Sequence, residues 1–189
     1  ISVALVGYVV CRWVPPAPAQ TTETKVDWNP IRASKSLIAF SMGNLELRYS
    51  VLAISYFWTI AAILSVQFIP LAKNVLLADK QVAAVLLVAF SAGIAIGSVS
   101  INALLKGDIS ARYSAPSVLA LGALLVGFYA LCRMWNLEPA GELFTVWEFL
   151  AQPLALVLTA NLLLIAVAGG MFVVPLYAFL TTKVDKSEA

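Results

Sequence analysis

The sequence predicts an all-α integral membrane protein, built as a bundle of transmembrane helices. Hydrophobic residues make up 61% of its 189 residues and charged residues only 12%, whereas a soluble domain carries about a quarter charged residues. Four stretches contain almost no charge and reach the roughly 20 residues that a helix needs to cross a bilayer. Because lipid offers no hydrogen-bond partners to the backbone, these stretches are expected to be helical.

The four complete spans are predicted at residues 51–70, 82–105, 116–135 and 154–180. A shorter apolar run at residues 1–14 is interpreted as the end of a partial transmembrane helix. Arg12 and Trp13 close this run where a signal peptide would have small residues, and no basic region precedes it. We therefore expect a partial span, followed by the polar segment and then by a transmembrane bundle and tail within residues 51–189.

Residues 15–50 form a long polar segment between the partial span and the first complete one. Its first part, residues 15–30, contains four prolines and a run of threonines beside a glutamine, which predicts an extended linker. Residues 31–48 mix apolar and charged side chains in a pattern typical of a helix on the membrane surface. A plain connecting loop is the alternative interpretation.

The basic residues predict the orientation of the bundle. Nine of the 12 Lys and Arg residues fall on one side of the predicted spans. The other three, Lys73, Lys80 and Arg133, fall on the opposite side. Positively charged loops are typically cytoplasmic. The pattern therefore places the 15–50 loop and the C-terminal tail in the cytoplasm.

Polar side chains inside the spans are the candidates for a substrate path, since such groups turn toward other helices or a cavity. Tyr56, Thr59 and Gln67 share one sector of the first complete span. Trp58 lies deep in the same span, either as a packing residue or as a cavity wall. The candidates on the second and fourth spans are Ser91, Ser98, Asn102, Thr159, Asn161 and Tyr177. Hydrogen bonding between helices is the alternative role for each of them.

Small residues predict close helix packing and a bend. Gly93 and Gly97 form a small-xxx-small pattern, which lets two helices approach closely. Gly169, Gly170 and Pro175 lie in the longest span and predict a kink there. This kink is either static or a gating hinge.

The composition argues against several classes of function. The chain has no histidine, and no Asp, Glu, Lys or Arg lies in the central half of a complete span. An acid–base pair for catalysis is therefore lacking, and we expect no enzyme activity, cofactor or metal. A net charge of +2 without a basic tract does not suggest nucleic acid binding.

Cys11 and Cys132 are interpreted as packing residues. A path for an uncharged or amphipathic substrate is favoured.

Three motifs resemble those of the lysophospholipid transporter branch of the major facilitator superfamily. They read ISYFW at residues 54–58, LLVAFSAGIAIGS at 86–98 and GGMFVVPLY at 169–177. The resemblance covers most of residues 29–183. It implies roughly spans six to ten of a carrier with two six-helix halves joined by a cytoplasmic loop. The cytoplasmic signature of the superfamily would fall, in degenerate form, at Lys106, Gly107, Asp108 and Arg112.

The resemblance also implies a function. Such carriers work by alternating access and bring lysophospholipid to the inner leaflet of the bacterial inner membrane for reacylation. The implied partners are the bilayer, the lysolipid or another amphipathic substrate, and an acyltransferase that is fused or separate. A drug or small-metabolite carrier of the same superfamily is the first alternative. A non-transporting membrane region attached to a lipid-modifying acyltransferase is the second.

Overall fold

The computed structural model describes residues 2–13, 29–106, 110–139 and 142–187. These residues are mostly helical and contain no β-strand, which confirms the all-α prediction. A 3₁₀ turn at Ala111–Tyr113 precedes α5. The α-helices are α1 (Ser2–Cys11), α2 (Pro30–Gly43), α3 (Leu45–Asn74), α4 (Lys80–Leu105), α5 (Ser114–Arg133), α6 (Val146–Leu150) and α7 (Pro153–Ser187).

Four of the helices are long and apolar enough to cross a bilayer. They are α3, α4, α5 and the Pro153–Thr182 part of α7. Each coincides with one of the four predicted complete spans, so the chain is a multi-pass membrane protein. The predicted partial span corresponds to α1, while the linker prediction falls mainly on residues 14–28, which lie outside the described residues.

The first complete span begins earlier and ends later than the sequence predicted. Asn44 caps α3, because its Oδ1 accepts a hydrogen bond from the backbone N–H of Glu46 at 3.0 Å. This cap divides the predicted surface helix of residues 31–48 into α2 and the first turn of α3. At the other end, α3 continues through Pro70 to Asn74. Proline was taken as the end of the span, but here it lies inside the last turns of the helix.

The ends of α4 and α5 also follow local chemistry. The carboxylate of Asp79 accepts from the backbone N–H of Lys80, so α4 begins there and not at residue 82. Lys106 ends α4 in the left-handed region, with φ of 50°. Pro116 lies in the first turn of α5, where its missing N–H costs no intrahelical hydrogen bond.

The chain forms two compact units, residues 1–40 and 41–189. The first unit holds α1 and most of α2. The second holds the four long helices, and in it α7 is the central element. The most extensive interface of α7 is with α4, followed by that with α5, whereas the contacts of α3 with α4 and α7 are more limited.

Glycines permit the close crossing of α4 and α7. A Cβ placed on Gly93 would lie 2.5 Å from the carbonyl oxygen of Leu163, and one on Gly97 would overlap the backbone of Val167. From the other side, a Cβ on Gly170 would lie 2.6 Å from the carbonyl oxygen of Ile94. The two backbones are therefore in direct contact, as in other small-residue helix pairs in membranes.

Two loops pair with each other at the end of the bundle where α3 finishes, which we call the Asn74 end. The N–H of Phe144 donates to the carbonyl of Leu77 at 2.7 Å, and the N–H of Asp79 donates to the carbonyl of Phe144 at 3.0 Å. The Phe144 ring also packs edge-on against the indole of Trp135. The α3–α4 and α5–α6 connections are thus held together over the core.

The short helix α6 completes this end of the bundle. Thr145 and Glu148 form a capping box, in which the Thr145 N–H and hydroxyl both donate to the Glu148 carboxylate. These two hydrogen bonds lower the pKa of Glu148 below its usual value. Phe149 is fully buried below the cap, so α6 is anchored to the bundle core by a side chain as well as by its cap.

Candidate functional site

A cleft runs between α3 and α5, and we call it the α3–α5 cleft. Both helices are described over their whole length and pack against α7 or its neighbours, but they make hardly any direct contact with each other. The space between them forms three adjoining hollows. At mid-bundle, Ile165 and Ala166 of α7 contribute to the wall.

The hollow at mid-bundle is an apolar cavity of about 50 Å³. Four helices contribute to it, and every lining side chain except Tyr56 is apolar: Phe57, Ile60, Ala61, Leu64, Phe90, Val118, Leu121, Ile165, Ala166 and Phe172. A lining of this kind suits a hydrocarbon group, since it offers almost no hydrogen bonds that a polar ligand would require.

The cleft widens at the Asn74 end into a hollow of about 720 Å³, which we call the polar mouth. Five of its lining residues carry polar atoms in their side chains: Asn74, Tyr129, Arg133, Trp135 and Asn136. A smaller hollow with Gln67 in its wall shares Asn74 with the polar mouth and Leu64 with the apolar cavity. The cleft is therefore apolar at mid-bundle and polar at one end.

The predicted polar stripe of α3 reaches the cleft at two of its three positions. Tyr56 lines the apolar cavity and Gln67 lines the hollow next to it. Thr59 does not line the cleft, and its hydroxyl donates to the carbonyl of Ser55 in its own helix at 2.8 Å. The edge of the cleft on α3 is thus formed by Tyr56 and Gln67, and the role predicted for Thr59 stays a prediction.

The polar candidates of α4 do not line the described cleft. Ser91 and Asn102 are exposed. Ser98 donates to the carbonyl of Ile94 at 2.7 Å, next to the crossing with α7. At this crossing, α4 contacts α7 through Gly93 and Gly97.

Thr159 and Asn161 of α7 are also outside the cleft lining. In the part of the chain that the structure describes, Thr159 Oγ1 and Asn161 Oδ1 are buried without a hydrogen-bond partner. The Asn161 amide lies at the α5–α7 interface, since a Cβ on Gly127 would be 3.3 Å from its Nδ2. These side chains take part in helix packing in this structure.

Trp58 and Tyr177 join α3 to α7. The indole Nε1 of Trp58 donates to the Tyr177 hydroxyl at 2.8 Å, and the Trp58 ring lies edge-on to Phe57. Of the two roles considered for Trp58, the geometry corresponds to helix–helix contact. Tyr177 likewise does not line the apolar cavity.

The glycines and proline of the longest span lie in the bundle core. Gly169 leaves room for the Phe57 ring, which would be 2.7 Å from a Cβ at that position. Pro175 is fully buried, and α7 continues through it as a single helix to Ser187. Gly169 therefore provides space at the α3–α7 contact, next to the apolar cavity.

The degenerate cytoplasmic signature is only partly described. Gly107 and Asp108 lie outside the described residues. Lys106 ends α4, and the Arg112 guanidinium donates to the hydroxyl of Tyr113 at 2.8 Å. The assignment of this signature to Lys106, Gly107, Asp108 and Arg112 remains a hypothesis from the sequence.

The polar mouth contains residues that the sequence analysis did not select. Arg133 is used in the sequence analysis only as one of the basic residues that predict the orientation of the bundle. Asn74 and Asn136 are not among the predicted substrate-path residues. All three lie at the end of the apolar stretch of a span or a few residues after it. A search for polar residues at the same end of two spans would have found them.

No group of three or more His, Cys, Asp and Glu side chains is placed to bind a metal ion in residues 2–13, 29–106, 110–139 and 142–187. Comparison of the chain with known protein families, with curated proteins and with solved structures finds no match.

The fold and the cleft together define the class of this protein. It is a multi-pass helical membrane protein with an amphipathic groove between two of its helices.

Proposed function

We propose that this chain forms part of a secondary transporter of the major facilitator type, which moves lysophospholipid to the inner leaflet of a bacterial cytoplasmic membrane by alternating access. The amphipathic α3–α5 cleft is the observation that carries the proposal. A lysophospholipid has one acyl chain and a charged head, so its path needs an apolar wall beside a polar group. The apolar cavity and the polar mouth supply these two surfaces in adjoining hollows.

The dimensions of the cleft suit such a molecule. At a rise of about 1.5 Å per residue, roughly 25 Å of α3 separate Phe57 in the apolar cavity from Asn74 in the polar mouth. The hydrocarbon core of a bilayer is about 30 Å thick, so the acyl region of one leaflet is about 15 Å deep. The length of the cleft is therefore comparable to that of a single acyl chain with its headgroup.

The charge pattern supports the direction of uptake. Lys73, Lys80 and Arg133 belong to the Asn74 end, and the positive-inside rule assigns this end to the outer face. The polar mouth would then open at the depth of the outer headgroups, where lysolipid would enter. The remaining basic residues would lie in the cytoplasm, along with the 15–50 loop.

The packing is compatible with a moving element in the carrier. The glycine contacts make α4 and α7 a tightly packed pair, whereas α3 makes fewer contacts with either of them. Alternating access requires rigid pieces that shift relative to each other. In this proposal α3 is the helix whose displacement would widen or close the cleft.

Uptake by cells tests the proposal. We expect bacteria that lack the full-length protein to lose internalisation of labelled lysophosphatidylethanolamine, and a plasmid copy to restore it. Normal internalisation in the deletion strain, in a background without a second lysolipid carrier, would rule out the lysolipid function. Thermal stabilisation of the purified protein by an amphipathic drug, with none by lysolipid, would instead favour a drug carrier.

A further inference from the structure

The α3–α5 cleft carries a formal charge at one place. Among the described residues that line its three hollows, Arg133 is the charged one, and it lies in the polar mouth. An exposed cation next to an apolar groove favours a ligand with an anionic group, since an amphiphile whose only charge is positive would be repelled and one without charged groups would gain nothing from it.

The neighbours of Arg133 add hydrogen-bond donors. Asn74 at the end of α3 and Asn136 just after α5 line the same hollow, and each carboxamide carries two N–H donors. The guanidinium has five donors in a planar fork, which matches the oxygen atoms of a phosphate. The mouth also contains Trp135, whose indole N–H is buried without an acceptor in the described part of the chain.

The polar mouth also lies at the correct depth for a headgroup. Arg133 is the last residue of α5 and Asn74 the last of α3, so both would lie where these spans leave the hydrocarbon core. The apolar cavity begins at Leu64, about 15 Å further along α3 at about 1.5 Å per residue. This spacing is about the depth of one acyl layer, roughly half of the 30 Å hydrocarbon core.

We propose that Arg133, with the carboxamides of Asn74 and Asn136, binds the phosphate of a lysophospholipid headgroup, while the acyl chain extends toward the apolar cavity. This inference rests on the proposed function and assigns the headgroup chemistry to one end of its cleft. The recognised group is a phosphate monoanion attached to a single acyl chain, not a free phosphate, because the groove beside it is apolar.

The experiment measures binding of two probes to the full-length protein in nanodiscs. One probe is lysophosphatidylethanolamine, and the other is a monoacylglycerol with the same acyl chain, which lacks the phosphate. We expect the wild-type protein to bind the first probe about tenfold or more tightly than the second, the difference expected for one hydrogen bond to a charged group. Arg133→Gln should abolish this preference and leave monoacylglycerol binding unchanged, and Arg133→Lys should restore part of it.

Lys73→Gln is the matched control. Lys73 is an exposed cation one residue before Asn74, but it does not line the polar mouth. The control variant should keep the wild-type preference for the phosphate-bearing probe. Inorganic phosphate and glycerophosphate at the same concentration should not displace the lysolipid, since they lack the acyl chain.

Several outcomes would overturn the headgroup site. These are a wild-type protein without preference for the phosphate probe, an unchanged preference in Arg133→Gln, or an equal loss in Lys73→Gln. Displacement by free phosphate would assign the mouth to soluble anions instead. The uptake assay is separate. Uptake by the wild-type protein, together with an unchanged preference in Arg133→Gln, refutes the headgroup site alone. Loss of the preference in Arg133→Gln, together with no uptake by the wild-type protein, refutes the transport function alone.

Discussion

Replacing Gly97 by alanine is expected to destabilise the bundle by about 3 kcal/mol, the upper part of the range for overpacked sites. The added Cβ would overlap the carbonyl group of Val167. This carbonyl is part of the α7 backbone, so it cannot rotate away as the end of a flexible side chain could. Relief requires α4 and α7 to separate, which weakens the most extensive interface in the bundle.

Gly122→Ala provides a control of the same chemistry. Gly122 lies in α5, and a Cβ placed there would meet no atom within 4 Å. In a helix interior, alanine is about 1 kcal/mol more favourable than glycine, so this variant should be neutral or slightly more stable. Unfolding of both variants in mixed micelles with increasing denaturing detergent measures the difference. Equal stability of the two variants would show that α4 and α7 do not cross as closely as described.

Replacing Val118 by tryptophan is expected to reduce lysolipid uptake strongly without unfolding the protein. Val118 lines the apolar cavity from α5 and is 40% exposed, so the larger ring can enter the cleft without displacing a core side chain. Each methylene group of an acyl chain gains about 0.8 kcal/mol on burial. Loss of space for three methylene groups would weaken binding roughly 60-fold.

Leu119→Trp is the matched control for this variant. Leu119 is the next residue of the same helix and is 75% exposed, but it does not line the cavity. The two variants thus add the same ring to neighbouring positions, of which one faces the cleft. We expect proteoliposome uptake of lysophosphatidylethanolamine to fall in Val118→Trp and to stay at the wild-type level in Leu119→Trp. Equal uptake by both variants would contradict a substrate path through the apolar cavity.

The fold of the bundle could be predicted from the sequence because a membrane span is a property of one continuous stretch. Length and lack of charge are sufficient to locate α3, α4, α5 and α7. The ends of the helices were less predictable, since they depend on single side chains. Asn44 and Asp79 start helices by capping backbone N–H groups, and Pro70 does not stop the helix that contains it.

The cleft could be predicted only in part because it depends on which helices touch. Periodicity identified Tyr56 and Gln67 as members of one stripe, and both line the cleft. Nothing in the sequence indicates that α3 and α5 leave a gap between them, so Arg133 was not selected as a candidate. Thr59 and the polar side chains of α4 share helical faces with other polar residues, but a shared face does not reveal what that face contacts.

Photolabelling tests the central claim most directly, namely that the α3–α5 cleft holds the acyl chain of a lysolipid. The full-length protein in nanodiscs would be illuminated with lysophosphatidylethanolamine that carries a diazirine near the end of its acyl chain, and the labelled residues would be identified by mass spectrometry. We predict labels at residues that line the apolar cavity, such as Ile60, Leu64 and Val118, and competition by unlabelled lysolipid. Labels spread evenly over outward-facing residues such as Val88 and Leu119, without competition, would contradict the account.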